Sequence, residues 1–301
     1  MIARRRFLAI SAAAALCSSG ARAGPRAGQR TWRGHALGAA VSVTLSADVG
    51  RFGRLISRIA AELRHIEGLF SLYDPASALS RLNRTGILNH PPPEMVALLN
   101  QAARLHRVTG GRFDPTVQPL WQALAAGGDT ARARRKIGWG RVTVDPARIR
   151  LGYRQALTLN GIAQGYATDR ISALLRDEGL SEILVNIGEF SAVGGPWRIG
   201  IADPAHGLIA TRELHETAIA TSSPAALRLA DGRAHILDPL GEPGRAFWST
   251  VSVEARSATI ADGLSTALCL APLDKAQSIL RHLPEVRRVT FVDDAGTVRL
   301  L

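Results

Sequence analysis

Residues 248–301 read WSTVSVEARSATIADGLSTALCLAPLDKAQSILRHLPEVRRVTFVDDAGTVRLL, and this closing stretch decides the fold class. Trp248–Val253 is a short β-branched run and predicts a strand. Ala258–Leu270 is apolar at helical spacing and predicts a helix. A second helix spans about Leu273–His282. Val289–Val292 and Val298–Leu301 then make a hairpin that turns at Asp294-Ala295-Gly296. A strand, two helices and a hairpin in succession do not build the alternating units of a parallel sheet. The class expected is α+β, with antiparallel sheets and packed helices.

The upstream chain agrees. After a Gly/Arg-rich leader, Val41, Val43 and Leu45 alternate as in a half-buried strand. Leu55, Ile56, Ile59, Leu63, Ile66 and Phe70 follow at three- and four-residue steps, the pattern of a helix. Pro91-Pro92-Pro93 opens another helix through Met95, Leu99 and Leu105 to Thr109, closed by Gly110-Gly111. A hairpin is expected around Asp145-Pro146, Val142–Val144 against Ile149–Leu151. Leu157-Thr158-Leu159 leads into a helix from about Ile162 to Glu178, ended by Gly179. Ile183–Ile187 and Trp197–Ile201 read as strands. No internal repeat or linker divides the chain, so residues 24–301 are expected to form one domain.

Composition is that of a globular protein, 46% hydrophobic and 21% charged. No run of about 18 apolar residues is present, so no integral membrane protein is expected. The formal charge is +12, and only Lys136 and Lys275 are lysines, so the positive charge is almost all arginine. The arginines are scattered apart from the Arg132–Lys136 cluster and do not interleave with aromatics, which argues against nucleic-acid binding. Residues 1–23 read as an export signal: Arg4-Arg5-Arg6, Phe7-Leu8, an apolar stretch to Leu16, then Ala21-Arg22-Ala23 for a signal peptidase. Arg-Arg-x-Phe-Leu resembles the twin-arginine signal, which places the mature protein in the periplasm. Cys17 would leave with the signal. Cys269 then stands as the one mature cysteine, a small core side chain, and no intramolecular disulfide is possible.

The familiar chemical motifs are missing. There is no Walker A sequence, Gly138-Trp139-Gly140 lacks the third glycine of a dinucleotide fingerprint, and the histidines do not pair at zinc-binding spacing. Gly263-Leu264-Ser265-Thr266-Ala267 is one residue short of a nucleophile elbow and falls inside a helix. Three segments remain. Asp262 and Thr266 share one helix face with Ser265 alongside, which suits either a hard cation (Mg2+ or Ca2+) or a helix acid with capping hydroxyls. Asn160-Gly161-Ile162-Ala163-Gln164-Gly165-Tyr166 suits a phosphate at a helix N-terminus, or a tight turn. His235-Ile236-Leu237-Asp238-Pro239 places an imidazole near a carboxylate and a strand-ending proline, where a lone histidine is usually structural.

Taken in order, the segments resemble the ApbE family, the FAD:protein FMN transferases. The matching pieces are Leu37-Gly38-Ala39, Phe70–Tyr73 with Ser80–Asn83, Thr109–Val117, Asn160–Asp169, Val185–Glu189, Ala218–Ser222, His235–Pro239 and Asp262–Thr266. The twin-arginine start and Leu157–Gly165 look most like the NosX branch, associated with nitrous-oxide respiration. The resemblance implies an ApbE-like (T-fold-like) α+β fold with FAD in a cleft and Mg2+ beside its pyrophosphate. It implies cleavage of FAD, attachment of FMN through a phosphoester to a threonine or serine of an acceptor flavoprotein, and release of AMP. By the same resemblance His235 and Asp262 are catalytic. Gly161, Asp262, Ser265 and Thr266 hold the metal. Leu37, Tyr73, Arg112, Phe113, Asp114, Thr158, Gln164 and Ile236 contact FAD. The acceptor would be a periplasmic, NosR-like protein.

The sequence departs from the family's pattern where an acidic residue often stands at Thr158 and a lysine or glutamate at Gln164. Leu37 and Ala39 replace the usual Met and Thr around Gly38. A threonine accepts no charge-assisted bonds as a carboxylate does, and a neutral amide gives no Coulomb help to a phosphate. Two other readings therefore stay open: a Mg2+-dependent FAD pyrophosphatase yielding FMN and AMP, and a non-catalytic periplasmic FAD-binding assembly factor.

Overall fold

In the computed structural model, residues 28–229, 232–241 and 246–301 are described. The expected signal at residues 1–23, with Cys17, lies outside the described residues. The Gly/Arg-rich leader is, from Gln29, a strand: β1 (Gln29–Ala36) pairs along its whole length with β2 (Ala39–Ser46). The hairpin turns through Leu37 and Gly38, both at positive φ. Val41, Val43 and Leu45 of β2 are buried, as their alternation requires.

Helix α1 (Val49–Phe70) is capped by Asp48, whose carboxylate accepts from the Arg51 N–H, and buries Leu55, Ile59, Leu63, Ile66, Leu69 and Phe70. Each such side chain contributes roughly 1.5–3 kcal/mol on leaving water. Next come α2 (Ala78–Thr85), β3 (Ile87–Asn89) and α3 (Pro93–Val108), then α4 (Gln118–Ala126) and α5 (Thr130–Arg134). The expected hairpin forms as β4 (Thr143–Val144) against β5 (Arg148–Arg150), and β3 joins it to give the order β3-β5-β4.

Helix α6 (Ala163–Asp177) leads into β6 (Ile183–Asn186), β7 (Phe190–Val193), β8 (Trp197–Asp203), β9 (Gly207–Leu214) and β10 (Thr217–Ser222). The chain closes with β11 (Thr250–Ala255), α7 (Ala258–Leu268), α8 (Leu273–Leu280), β12 (Val286–Val292) and β13 (Val298–Leu300). The main sheet has eight strands in the order β1-β2-β6-β7-β10-β11-β12-β13. Every neighbouring pair in it is antiparallel, so the α+β expectation holds. Helices α1, α2, α3, α6, α7 and α8 share with one face of the sheet a continuous core that includes Val43, Ile59, Leu99, Ile171, Val253 and Leu264, while α4 and α5 pack with Leu229 in a small cluster of their own. On the other face the β8–β9 hairpin seals a second, smaller core, in which Ile199, Ile201 and Leu214 meet Ala192 and Ile219. Strands β7 and β10 are thus covered on both sides. That placement makes them a wall rather than a surface.

Candidate functional site

The wall borders a cleft of about 340 Å³, lined by residues that range in sequence from Leu72 to Leu270. One end of it is set by the crossing of α6 and α7. Ser257 caps α7, its hydroxyl accepting from the Ile260 N–H. Asp169 of α6 completes the cap, accepting from the backbone N–H groups of Ala258 (2.8 Å) and Thr259 (2.9 Å) and from both neighbouring hydroxyls. A carboxylate there also meets the positive end of the helix dipole. The helices cross closely because residue 165 is glycine. A Cβ on it would overlap the carbonyl oxygen of Ala258 and lie 2.7 Å from the Asp262 Cβ.

That crossing delivers Asp262. Its Oδ2 accepts from the Gly165 N–H at 2.9 Å, and the residue borders the cleft. Thr266, one turn on, also borders it, and its Oγ1 would lie 3.1 Å from a Cβ on Gly161. Asp262, Thr266 and the Gly161 backbone therefore gather at one place. Ser265 is fully buried instead and does not border the cleft. It donates to the Asp262 carbonyl oxygen (2.9 Å) and lies 2.7 Å from the Ser222 hydroxyl. Its single proton is thus used, so Ser222 donates to Ser265 and turns lone pairs toward the cleft. Ser222 thus presents a hydroxyl to the cleft beside the expected Ser265, a neighbour that only the β10–α7 packing reveals.

Two carboxyl groups are buried here. Burial pushes the Asp262 carboxyl up to about 7, Asp169's charge adds to this, and the Gly165 N–H opposes it. Glu189, at the end of the β6–β7 turn, is raised well above its ordinary value, first by burial and then by the charge of Asp262, with the Thr221 N–H opposing. Both line the cleft. Among the described residues no three His, Cys, Asp or Glu side chains converge as a metal cluster. A cation here would rest on Asp262, the Thr266 hydroxyl, the Gly161 carbonyl and the Ser222 oxygen. An all-oxygen set beside carboxyl groups that resist ionising unpaired fits a hard divalent ion. Glu189 carries no functional reading from sequence, because its relation to Asp262, on helix α7, exists only where the folded chain brings both to the cleft.

His235 stands in a loop held by the Arg228–Ala234 bridge and by its own N–H on the Leu227 carbonyl (3.2 Å). Its Nδ1 lies 3.0 Å from the Pro224 carbonyl and 3.3 Å from that of Leu227, two acceptors. Nδ1 therefore carries the proton, and Nε2 is left with a lone pair. Burial lowers the imidazole's pKa, with the two carbonyls opposing, so the ring is neutral at pH 7. It borders the same cleft as Asp262.

The remaining expected residues divide by what they do. Tyr73 is 59% exposed at the cleft's margin, where its ring offers a stacking face. Phe113, Thr158, Gln164 and Ile236 line the wall, Gln164 packed so closely on Gly188 that a Cβ there would lie 2.7 Å from its amide carbon. Arg112 also lines it, but its Nε donates to the Leu270 carbonyl (3.1 Å). Asp114 spends its carboxylate on the turn, accepting from the Thr116 N–H (2.8 Å), the Thr116 hydroxyl (2.6 Å) and the Trp139 N–H (3.3 Å). It shapes the wall rather than offering charge to a ligand. Leu37 does not border the cleft. It sits in the β1–β2 turn, where its N–H donates to Glu67 at 2.8 Å.

The ApbE family model matches residues 37–290. The chain is 29% identical over 266 residues to the FAD:protein FMN transferase of Salmonella typhimurium, covering 78% of this chain and 76% of that protein. Among solved structures, the apo form of Pseudomonas stutzeri flavinyl transferase ApbE is 25% identical with a TM-score of 0.78, covering 91% of this chain and 94% of that one. The Thermotoga maritima apbe protein is 28% identical with a TM-score of 0.79, covering 90% and 96%.

Proposed function

The chain belongs to the ApbE family, and on that premise we propose that it is a Mg2+-dependent FAD:protein FMN transferase. The observation that supports this best is one cleft bordered both by an imidazole with a free Nε2 and by the Asp262–Thr266–Gly161 oxygen group. The cleft's volume, about 340 Å³, is that of a small-molecule site.

The reaction is phosphoryl transfer, so positioning and charge neutralisation carry most of the catalysis. The acceptor's threonine or serine oxygen forms a bond to the FMN phosphorus. The pyrophosphate bridge breaks and AMP leaves. The hydroxyl proton passes to Nε2 of His235, which is neutral and therefore able to take it at pH 7. Asp262, Thr266, Gly161 and Ser222 would hold Mg2+, which supplies positive charge beside the pyrophosphate oxygens. Asp262 also orients that end of the cleft through its bond to Gly165. Tyr73 and Phe113 would border the isoalloxazine ring.

Export through the twin-arginine route would put this reaction in the periplasm, and the NosX-like features of Leu157–Gly165 would assign a NosR-like acceptor. No helix among the described residues is long and apolar enough to cross a membrane. The test mixes residues 24–301 with FAD, Mg2+ and a soluble NosR-like acceptor domain. Flavin fluorescence on the denatured acceptor with equimolar AMP, abolished by EDTA, is the expected result. AMP and FMN without labelled acceptor would mean a pyrophosphatase, and bound FAD with neither product would mean a binding protein.

A further inference from the structure

Strand β8 is paired on one side only. It forms a two-stranded sheet with β9, and no backbone hydrogen bond among the described residues joins its other side to another strand or loop. That free side faces the cleft: Ile199, Gly200 and Ala202 of β8 line it, and no residue of β9 does. Successive residues of a strand point to opposite faces. Residues of both parities border the cleft because the cleft runs along the strand's edge.

The edge is also tied to His235. Asp203, the last residue of β8, accepts from the Thr250 hydroxyl at 2.6 Å. Thr250's one proton is then used, so Ser223 donates to it across 2.8 Å. The next residue, Pro224, supplies the carbonyl that fixes the imidazole. The end of β8 and the base are thus held on one short chain of hydrogen bonds.

An open strand edge invites pairing, and proteins usually guard it with charge, proline or cover. The outer edge strand β1 is guarded by exposed Arg30 and Arg33. Along Gly200-Ile201-Ala202 there is neither charge nor proline, and the small residues let another backbone come close.

We propose that the β8 edge is the acceptor-docking site: an extended segment of the acceptor protein, carrying the target threonine or serine, adds to β8 as a further strand and so brings its hydroxyl to His235. Main-chain pairing supplies the affinity and tolerates varied side chains, as in other strand-addition complexes. This rests on the transferase reading above.

Hydrogen–deuterium exchange tests it, using the full protein with FAD and Mg2+, with and without a soluble NosR-like acceptor domain whose target threonine is changed to valine to stop turnover. Labelling of the unmodified acceptor is measured in parallel. In residues 197–203 the amides that point away from β9 should slow about tenfold or more on adding acceptor, while β9 keeps its FAD-only rates. An acceptor that is labelled, yet leaves exchange in residues 197–203 unchanged, overturns the docking site and leaves the transferase standing. An acceptor that is never labelled overturns the transferase reading for that partner, and the docking site with it.

Discussion

Replacing Gly165 with alanine inverts the usual effect of that substitution in a helix. In an exposed helical position the change gains about 0.5–1 kcal/mol, because glycine loses more backbone freedom on folding. Gly68 of α1 is such a position: a Cβ there meets nothing within 4 Å. At Gly165 the new methyl would overlap a backbone carbonyl, that of Ala258, which has no rotamer with which to move aside. Forcing the helices apart costs about 1–3 kcal/mol. Lengthening the Gly165–Asp262 bond removes a charge-assisted contact worth about 1.5–3 kcal/mol. Against these stands the propensity gain of about 1 kcal/mol. Gly165→Ala should therefore lose about 2–4 kcal/mol, roughly 1 M in the urea midpoint, whereas Gly68→Ala should be neutral or slightly stabilising. Flavin transfer should fall in Gly165→Ala at temperatures where it remains folded, because Asp262 is displaced, and be unchanged in Gly68→Ala. Equal urea midpoints for the two variants would refute the claim that the α6–α7 crossing sets the site.

Three further outcomes follow from the same geometry. His235→Ala should lower turnover by about 10²–10⁴ with FAD affinity nearly intact, and the wild-type acid limb should fall below the ordinary histidine range; unchanged turnover would remove His235 as the base. Asp262 is raised to about 7, so the stability it gives metal-free protein is present below the usual carboxylate range and lost as pH rises through about 7. Thermal melts in EDTA should show Tm falling from pH 5 to pH 8, less steeply in Asp262→Asn, with Mg2+ restoring the wild type at pH 8; identical slopes would mean that Asp262 is not the group titrating. Asp169→Ala strips the start of α7 of four donors' acceptor and should lose about 2–3 kcal/mol in urea unfolding, with Asp169→Asn losing less, and a change under about 0.5 kcal/mol would argue that Ser257 caps the helix alone.

Much of this molecule was legible in one dimension where burial is one-sided. Helix α1 and strand β2 each bury one face, so period survives in the sequence and both are readable. Strand β10 was not recognised as a strand because it is covered on both sides. Thr217, Ala218, Ile219 and Ala220 are all buried, and no alternation is left to read. Strand β1 failed for the opposite reason: with arginines outward and two glycines nearby, it resembles a leader until β2 pairs with it. At the site, helix spacing points to Asp262 and Thr266 and a strand-to-helix junction to the Gly161 segment, both local features, while the joining of Gly161 to Asp262 comes from the family resemblance. The Ser265–Ser222 bond and the effect of Asp262 on Glu189 join segments far apart in the chain, and no local spacing discloses either.

The strand order of the main sheet also sets a timetable for synthesis. The β1–β2 hairpin is complete once Ser46 has been made, yet the strand that covers its inner edge, β6, begins only at Ile183. At ordinary elongation rates that is a wait of roughly ten to thirty seconds. Throughout it Val41, Val43 and Leu45 have no sheet neighbour beyond β1, and α1 is the first cover they can recruit. The early helix thus covers one face of the hairpin, and stays there, before the strand that pairs with its edge has been made.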